Sequence, residues 1–307
     1  MLDLKLWQER WSEYLAVRQS STYTIATYGV GLKSFFAFLE DQGVEALSEV
    51  TRELLEEYRS HLFARRTAQG KRLSPATQCA RLGAAKAFFR YLVAANYLAF
   101  DPCASLELPI LRPDLPAVLS ESEVVRLLET PDVSTRLGVR DRAVLELLYS
   151  TAIRNGELCD LRCEHLDPEF TSLLIACGKG GKPRLVPLGE EARDWLETYL
   201  ARVRPFWQTK HSTESLFLNQ RGSSLKRYQL TRIVRLLAGA AGLGRTVTPH
   251  TLRHSCATHM LRRGAGLRQL QVLLGHSSSR TTDHYTRVDL TDLRKVLRRC
   301  HPRERRR

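Results

Sequence analysis

Through the first hundred residues the apolar positions recur every three to four places, the period of a helix with one buried face. In LKLWQERWSEYLAV the stripe is Leu4, Trp7, Trp11, Tyr14 and Leu15. In SSTYTIATYGVGLKSFFAFLEDQG it is Ile25, Tyr28, Leu32, Phe35, Phe36 and Leu39, and Gly43 marks the stop. A third helix is expected from about Thr51, with Leu54, Leu55, Tyr58 and Leu62 inward. SPATQ opens a fourth. Ser74 suits the N-cap and Pro75 the first helical turn, ahead of Leu82, Ala85, Phe89 and Leu92. Four such helices make a small bundle whose aromatic stripes are core.

The pattern then stops. DPCASLELPILRPDLP has four prolines and no period, which reads as a linker at 106–116 between domains at 1–105 and 117–307. LSESEVVRLLE restarts the helical period. Ser120 with Glu123 is a capping box, and helix is expected to about Tyr149. At SLLIACGKGGKPRLVPL the period breaks again, and two short runs flank a glycine-rich turn as in a β-hairpin. Helices return for most of 190–275, including a basic amphipathic one over 221–238. In the last segment Leu290, Leu293, Val296 and Leu297 share a helical face, and a tail with six arginines between 298 and 307 follows. That tail is expected to be either a disordered extension or a nucleic-acid contact. The fold class expected is mainly α, with a small β-sheet in the second domain.

Charge narrows the partner. The 307 residues carry a formal net charge of +14, which favours a polyanion, nucleic acid ahead of an acidic membrane surface. No apolar run reaches the ~18 residues that span a bilayer, and the N-terminal stretch is too charged for a secretory signal. A soluble protein that stays in the cytoplasm is expected. Seven cysteines without a CxxC pair do not suggest a disulfide framework. Cys159, Cys163 and His165 lack a fourth ligand at matching spacing and read as packing residues. Arg65, Arg66, Lys71 and Arg72 surround a glycine in one loop, and Arg227, Arg232 and Arg235 lie along the basic helix; both sets are candidate DNA contacts.

The densest chemistry is HTLRHSCATH, residues 250–259. His250 and Arg253 lie one helical turn apart and point the same way. No glutamate stands between His250 and His254 as in the zinc-protease pattern. His254 is expected to pack or hydrogen-bond, His259 to be structural and Cys256 to be a small buried residue. Tyr149 and Tyr199 read as core. With Arg154 in TAIRNGEL, Lys179 on the hairpin turn, His276 after LLG and Tyr285 in TTDHYTRV, the chain holds a coherent kit for phosphoryl transfer. Two guanidinium groups can hold a phosphate's oxygens, tyrosine can attack, and lysine can protonate the leaving oxygen.

TAIRNGEL, GKGGKPRLVPL, HTLRHSCATHM and LLGHSSSRTTDHYTRV, in that order, resemble the signatures of the tyrosine recombinases, or phage integrases, and the compact length is most similar to Xer-type members. The resemblance implies a SAM-like helical core-binding domain and an α+β catalytic domain closing as a C-shaped clamp on the duplex. It implies Arg154 and Arg253 as the phosphate clamp, Lys179 as general acid for the 5′ oxygen and His250 as acid or base toward the nucleophile. His276 would bond a non-bridging oxygen, and Tyr285 would form a 3′-phosphotyrosyl link. Double-stranded DNA would be the partner, with strand exchange in a homo-tetramer, or a hetero-tetramer with a related recombinase, at the nucleoid. The last helix would dock on its own domain or on a neighbouring subunit. No cofactor, metal or ATP is called for. The chain has Ala152 and Ile153 where the family often has glycine and leucine, and Gly156 where it often has serine. Glu157 is either a carboxylate that orients the clamp or a surface acid. Three other readings are a catalytically silent DNA-binding accessory, a metal-dependent nuclease, which would need a carboxylate cluster, and a type IB topoisomerase acting without a specific site.

Overall fold

Thr51 and Ser74 each accept a hydrogen bond from the backbone N–H three residues on, and so start two helices where their side chains satisfy an otherwise orphaned donor. In a computed structural model of the chain, described for residues 4–18, 22–67, 69–111, 118–176, 183–210, 214–275 and 290–304, there are two compact units, Met1–Asp114 and Leu115–Arg307. The first holds α1 (Leu4–Val17), α2 (Thr22–Asp41), α3 (Arg52–Ala64) and α4 (Pro75–Ala94). Their apolar stripes meet as the periodicity predicts. Trp11, Phe35, Phe36, Tyr58, Phe88 and Phe89 are buried together, with Trp11 edge-on to Phe88 at 5.9 Å and Phe35 edge-on to Tyr58 at 5.0 Å. Leu106 is also buried in this core, and the Pro109 carbonyl accepts from the Cys79 thiol.

The second unit begins at the Ser120–Glu123 capping box with α5 (Glu121–Glu129). The single helix expected from there to Tyr149 is two. Pro131 and the Asp132 turn end the first, and Thr135 caps α6 (Arg136–Thr151). From Ala143 to Thr151 α6 is buried on all sides, as the central helix of a core must be. Next come α7 (Asn155–Cys159), then β1 (Ser172–Ile175) and β2 (Arg184–Pro187), antiparallel with Leu173 opposite Val186 and Ile175 opposite Arg184. α8 (Glu190–Arg202), α9 (Arg204–Trp207), α10 (Arg227–Ala240), α11 (Pro249–Arg262), α12 (Leu267–Leu274) and α13 (Leu290–Cys300) complete the unit. The basic helix thus starts at Arg227, since residues 219–223 turn on the Asn219 side chain.

The C-terminal segment packs on its own unit. Leu293, Val296, Leu297 and Cys300 are buried, and so is His301. Arg303 pairs with Glu146 at 2.7 Å, so residues 301–304 of the tail, expected to be a disordered extension or a nucleic-acid contact, pack against the unit. Glu146 also pairs with Arg142 at 3.0 Å. Beside them His259 bonds the Leu119 carbonyl through Nε2 at 2.8 Å. A carbonyl only accepts, so Nε2 carries the proton and Nδ1 accepts from the Tyr149 hydroxyl at 2.8 Å. His259 and Cys256 are therefore structural, and Tyr149 and Tyr199 are buried core residues. His254, expected to pack or hydrogen-bond, is exposed on α11.

Candidate active site

Arg154 is placed by a sharp turn. α6 ends at Ala152, which adopts the left-handed conformation with φ 48°. Two residues on, Arg154 is extended and forms the N-cap of α7. Glu157, one turn into α7, accepts from the Arg154 backbone N–H at 2.8 Å and from its guanidinium Nη1 at 2.7 Å. Arg184 reaches the same carboxylate from β2, with Nη1 2.9 Å from Oε1 and Nη2 2.8 Å from Oε2. Glu157 is therefore no surface acid; its side chain is 5% exposed. Burial alone raises a carboxyl pKa. Here the hydrogen bonds from Arg184 and from the Arg154 backbone, with the charge of Arg184, outweigh it and hold Glu157 at about 2.

Arg253 approaches from α11, which Thr248 caps and Pro249 opens. It is buried. Its Nη1 donates to the Ala152 carbonyl, and its Nη2 to the Leu274 carbonyl at 2.7 Å. Arg154 Nη2 donates to the next carbonyl, that of Gly275, at 3.0 Å. Two guanidinium groups from residues 99 positions apart thus converge on adjacent oxygens at the C-terminal end of α12. Burial and the neighbouring Arg154 charge pull the Arg253 pKa down to about 10, although Glu157 draws it upward. A site so positive and so enclosed is suited to an anion with several oxygens.

His250 is exposed in the first turn of α11, three residues before Arg253. Lys179 follows β1 and precedes β2 in the chain, and His276 and Tyr285 follow α12; these three lie outside the described residues. Among the described residues no three His, Cys, Asp or Glu side chains gather in a way that could hold a metal ion, Cys159, Cys163 and His165 included. The described cysteines form no disulfide.

The candidate contact residues divide. Arg65, Arg66, Lys71 and Arg72 are exposed on a tight turn, closed by Thr67 N–H to the Lys71 carbonyl at 2.7 Å. Arg66 caps the Gly70 carbonyl at 2.8 Å, and Arg72 lies over Phe63 at 4.9 Å. On α10, Tyr228, Arg232 and Arg235 are exposed at helical spacing, on one face. Arg227 is engaged within the unit. It pairs with Asp160 at 3.3 Å and lies against Gly156, where a Cβ would come within 2.7 Å of its guanidinium. That contact, rather than the start of α7, is what glycine at position 156 permits.

Sequence reasoning overlooked Arg184. Its signal is inverted: in a two-residue period Arg184 shares the inward face with Val186, while Leu185 points out and is 47% exposed.

Residues 117–291 match the Phage integrase family, and residues 9–96 match the Phage integrase N-terminal SAM-like domain. A Tyrosine recombinase XerD of Staphylococcus epidermidis is 38% identical over 92% of this chain and 94% of its own length. One of Staphylococcus aureus is 38% identical over the same shares. Among solved structures, XerH site-specific recombinase bound to palindromic difH substrate, a post-cleavage complex, is 26% identical over 92% of this chain and 81% of that one, with a TM-score of 0.65. A lambda integrase (75–356) dimer bound to a COC′ core site shares the fold at a TM-score of 0.66, 19% identical over 90% of this chain and 96% of that one. The chain belongs to the phage integrase family of tyrosine recombinases. Its activity is that of a tyrosine-type site-specific DNA recombinase.

Proposed function

We propose that the chain cuts and rejoins double-stranded DNA at one scissile phosphate held by Arg154 and Arg253, with Tyr285 as nucleophile. The observation that carries this reading is the convergence of the two guanidinium groups on the adjacent carbonyls of Leu274 and Gly275, just before His276. A phosphate offers the same kind of acceptor with full charge, and competes for those donors when DNA enters. The Tyr285 oxygen attacks phosphorus, and its proton passes to His250. The P–O5′ bond breaks, Lys179 gives the 5′ oxygen a proton, and a 3′-phosphotyrosyl ester remains. Negative charge grows on the non-bridging oxygens at the transition state, where Arg154, Arg253 and His276 meet it. One ester replaces another of similar energy, so the reverse attack by a 5′ hydroxyl rejoins strands without ATP, and the cationic clamp serves the charge that a metal ion would otherwise serve.

The exposed bases Arg65, Arg66, Lys71 and Arg72 of the first unit, and Arg232 and Arg235 beside Tyr228 of the second, contact the backbone of the duplex; Arg227 sets the start of α10 while adding to the same surface. The domain at 1–105 acts as the core-binding part, joined through 106–116 to the catalytic part. By likeness to the Xer recombinases, four protomers assemble on two sites, either all of this chain or shared with a related recombinase. They act at the nucleoid in the cytoplasm; no described helix is long and apolar enough to cross a membrane.

The test is a trapping assay. A duplex selected from a random-sequence library by repeated binding to the protein is nicked so that the cut fragment diffuses away, and is incubated with the chain in EDTA. A denaturing gel should show a covalent adduct with the native chain. With Tyr285→Phe there should be none, although the duplex is still bound. An adduct that persists in Tyr285→Phe refutes the assignment of the nucleophile, and tight binding without any adduct refutes cleavage by this chain alone.

A further inference from the structure

We propose that Arg184 is a positioning residue for strand cleavage, which keeps the charge of Arg154 available to the phosphate by taking up that of Glu157. The proposal rests on the reading of Arg154 as a clamp residue given above. Glu157 is the group that fixes Arg154, through its backbone N–H and through Nη1. Left as a pair, Arg154 and Glu157 sum to zero charge, and the clamp loses much of its pull on a phosphate. Arg184 changes that sum. Its guanidinium engages both Glu157 oxygens at 2.8 and 2.9 Å, so the trio carries a net single positive charge. Arg184 is not a mere surface pair: its side chain is 12% exposed, facing a carboxylate 5% exposed. The attraction between such groups is strong, because little water screens them.

The same side chain ties together parts that are distant in sequence. Arg184 opens β2, the strand that follows the segment bearing Lys179. Its guanidinium also lies against the backbone of Gly275, the residue before His276; a Cβ there would come within 2.9 Å of it. Gly275 has φ 62°, so both conformation and space call for glycine. The Gly275 carbonyl in turn accepts from Arg154 at 3.0 Å. Arg184 thus touches the carboxylate that orients Arg154 and the backbone that precedes His276 in the chain, from the strand that follows Lys179 in the sequence. Its hydrogen bonds go to Glu157 rather than to the carbonyls on which Arg154 and Arg253 converge. Its action is therefore through Glu157 and Arg154, and through charge.

The experiment compares Arg184→Gln and Arg184→Lys with Arg154→Ala, by single-turnover cleavage of the selected nicked duplex at saturating protein, with the dissociation constant measured separately. The loss of one positioned charge should lower the cleavage rate of Arg184→Gln by about 100-fold, with little change in binding. Arg184→Lys keeps the charge but cannot span both oxygens, and should fall between Arg184→Gln and the native chain. A second duplex carries a methyl in place of one non-bridging oxygen of the scissile phosphate, so the centre has no charge to neutralise. On it the deficit of both variants should shrink to under about 10-fold, because the missing interaction is with that charge. A variant that is only loosened loses the same factor on both duplexes, and that result overturns the proposal. If Arg184→Gln does not fold, the Arg184→Lys pair of rates decides alone. Native cleavage by Arg184→Gln, with Arg154→Ala inactive, overturns the proposal and spares the clamp. Native cleavage by Arg154→Ala overturns the clamp reading itself.

Discussion

In the first unit the buried side chains are almost all carbon. Trp11, Phe35, Phe88 and Phe89 close the core, and Gln78 is the polar residue buried among the described ones, its amide given to the Leu73 carbonyl at 2.9 Å. The second unit buries Arg142, Glu146, Glu157, Arg253, His259 and His301. An aromatic core is indifferent to pH and tolerant of small shifts. A buried charge is tolerable only while its partner is in place. The two units therefore differ in kind. The first derives stability from area, whereas the second accepts costly groups, among them the Arg140–Asp141 pair, the Arg154–Glu157–Arg184 cluster with Arg253, and the Arg142–Glu146–Arg303 cluster that fastens the C-terminal segment.

The largest break in that comparison should come from Glu157→Gln. It leaves the partly buried Arg184 and Arg154 without their buried anion, and breaking such a pair costs about 4 kcal/mol. Hydrogen exchange in denaturant should place the loss in residues 115–307 and leave residues 1–114 unchanged. The native chain should show the same dependence on pH. Glu157 has a folded pKa of about 2 against 4.5 for an ordinary glutamate, so its contribution is complete above 4.5 and is lost as pH falls toward 2. The amount is about 3 kcal/mol, absent in Glu157→Gln. An equal acid loss in the variant would sink this account.

His301 offers a second, somewhat smaller break, at milder pH. Its Nε2 donates to the Tyr149 carbonyl at 3.2 Å and its Nδ1 accepts from the Arg303 N–H at 3.2 Å, so the neutral ring is fully satisfied. A second proton would meet that N–H and the charges of Arg263 and Arg303. Burial, and those arginines with His259, hold the pKa at about 4, although the bond to Tyr149 opposes them. The unfolded chain takes up its proton near 6.5, so stability is complete above that value and falls as pH drops from 6.5 to 4, by about 3 kcal/mol. Exchange protection in residues 290–304 should weaken first in this window, and His301→Gln should flatten the slope. Protection that stays constant between pH 6.5 and 4 would show that His301 does not fasten the segment.

The first unit was legible because its signals are local. A stripe at helical spacing and a capping Ser74 or Thr51 act within a few residues, and the core assembled from Leu32, Phe35, Leu82 and Phe89 as their period required. In the second unit the ordered motifs pointed to Arg154 and Arg253, yet no spacing could show that their guanidinium groups reach neighbouring carbonyls. Arg184 was hidden because its strand is four residues long and puts the leucine out and the arginine in. His301 and Arg303 were hidden because a polar tail has no period; what holds them is Tyr149, Glu146 and their own burial, more than 150 positions away. Pro131, which separates α5 from α6, was overlooked.

Ala152 gives the finest test, since it is where the chain departs from the family pattern beside the clamp. At φ 48° an alanine is strained, by about 1–2 kcal/mol. Its methyl is nevertheless fully buried, which returns about 0.8 kcal/mol. Replacing it by glycine also loosens the unfolded chain, at a cost of about 0.4–1 kcal/mol. These terms nearly cancel, so Ala152→Gly should change stability by less than about 1 kcal/mol and leave the carbonyl that accepts from Arg253 in place. Ala152→Val keeps the strain and adds two carbons to a filled site, and overpacking of this kind costs about 1–3 kcal/mol more. Equilibrium unfolding of the two variants decides. A large gain with glycine would mean that the turn before Arg154 is held under strain, and that the charges around it, rather than its own conformation, keep the clamp in position.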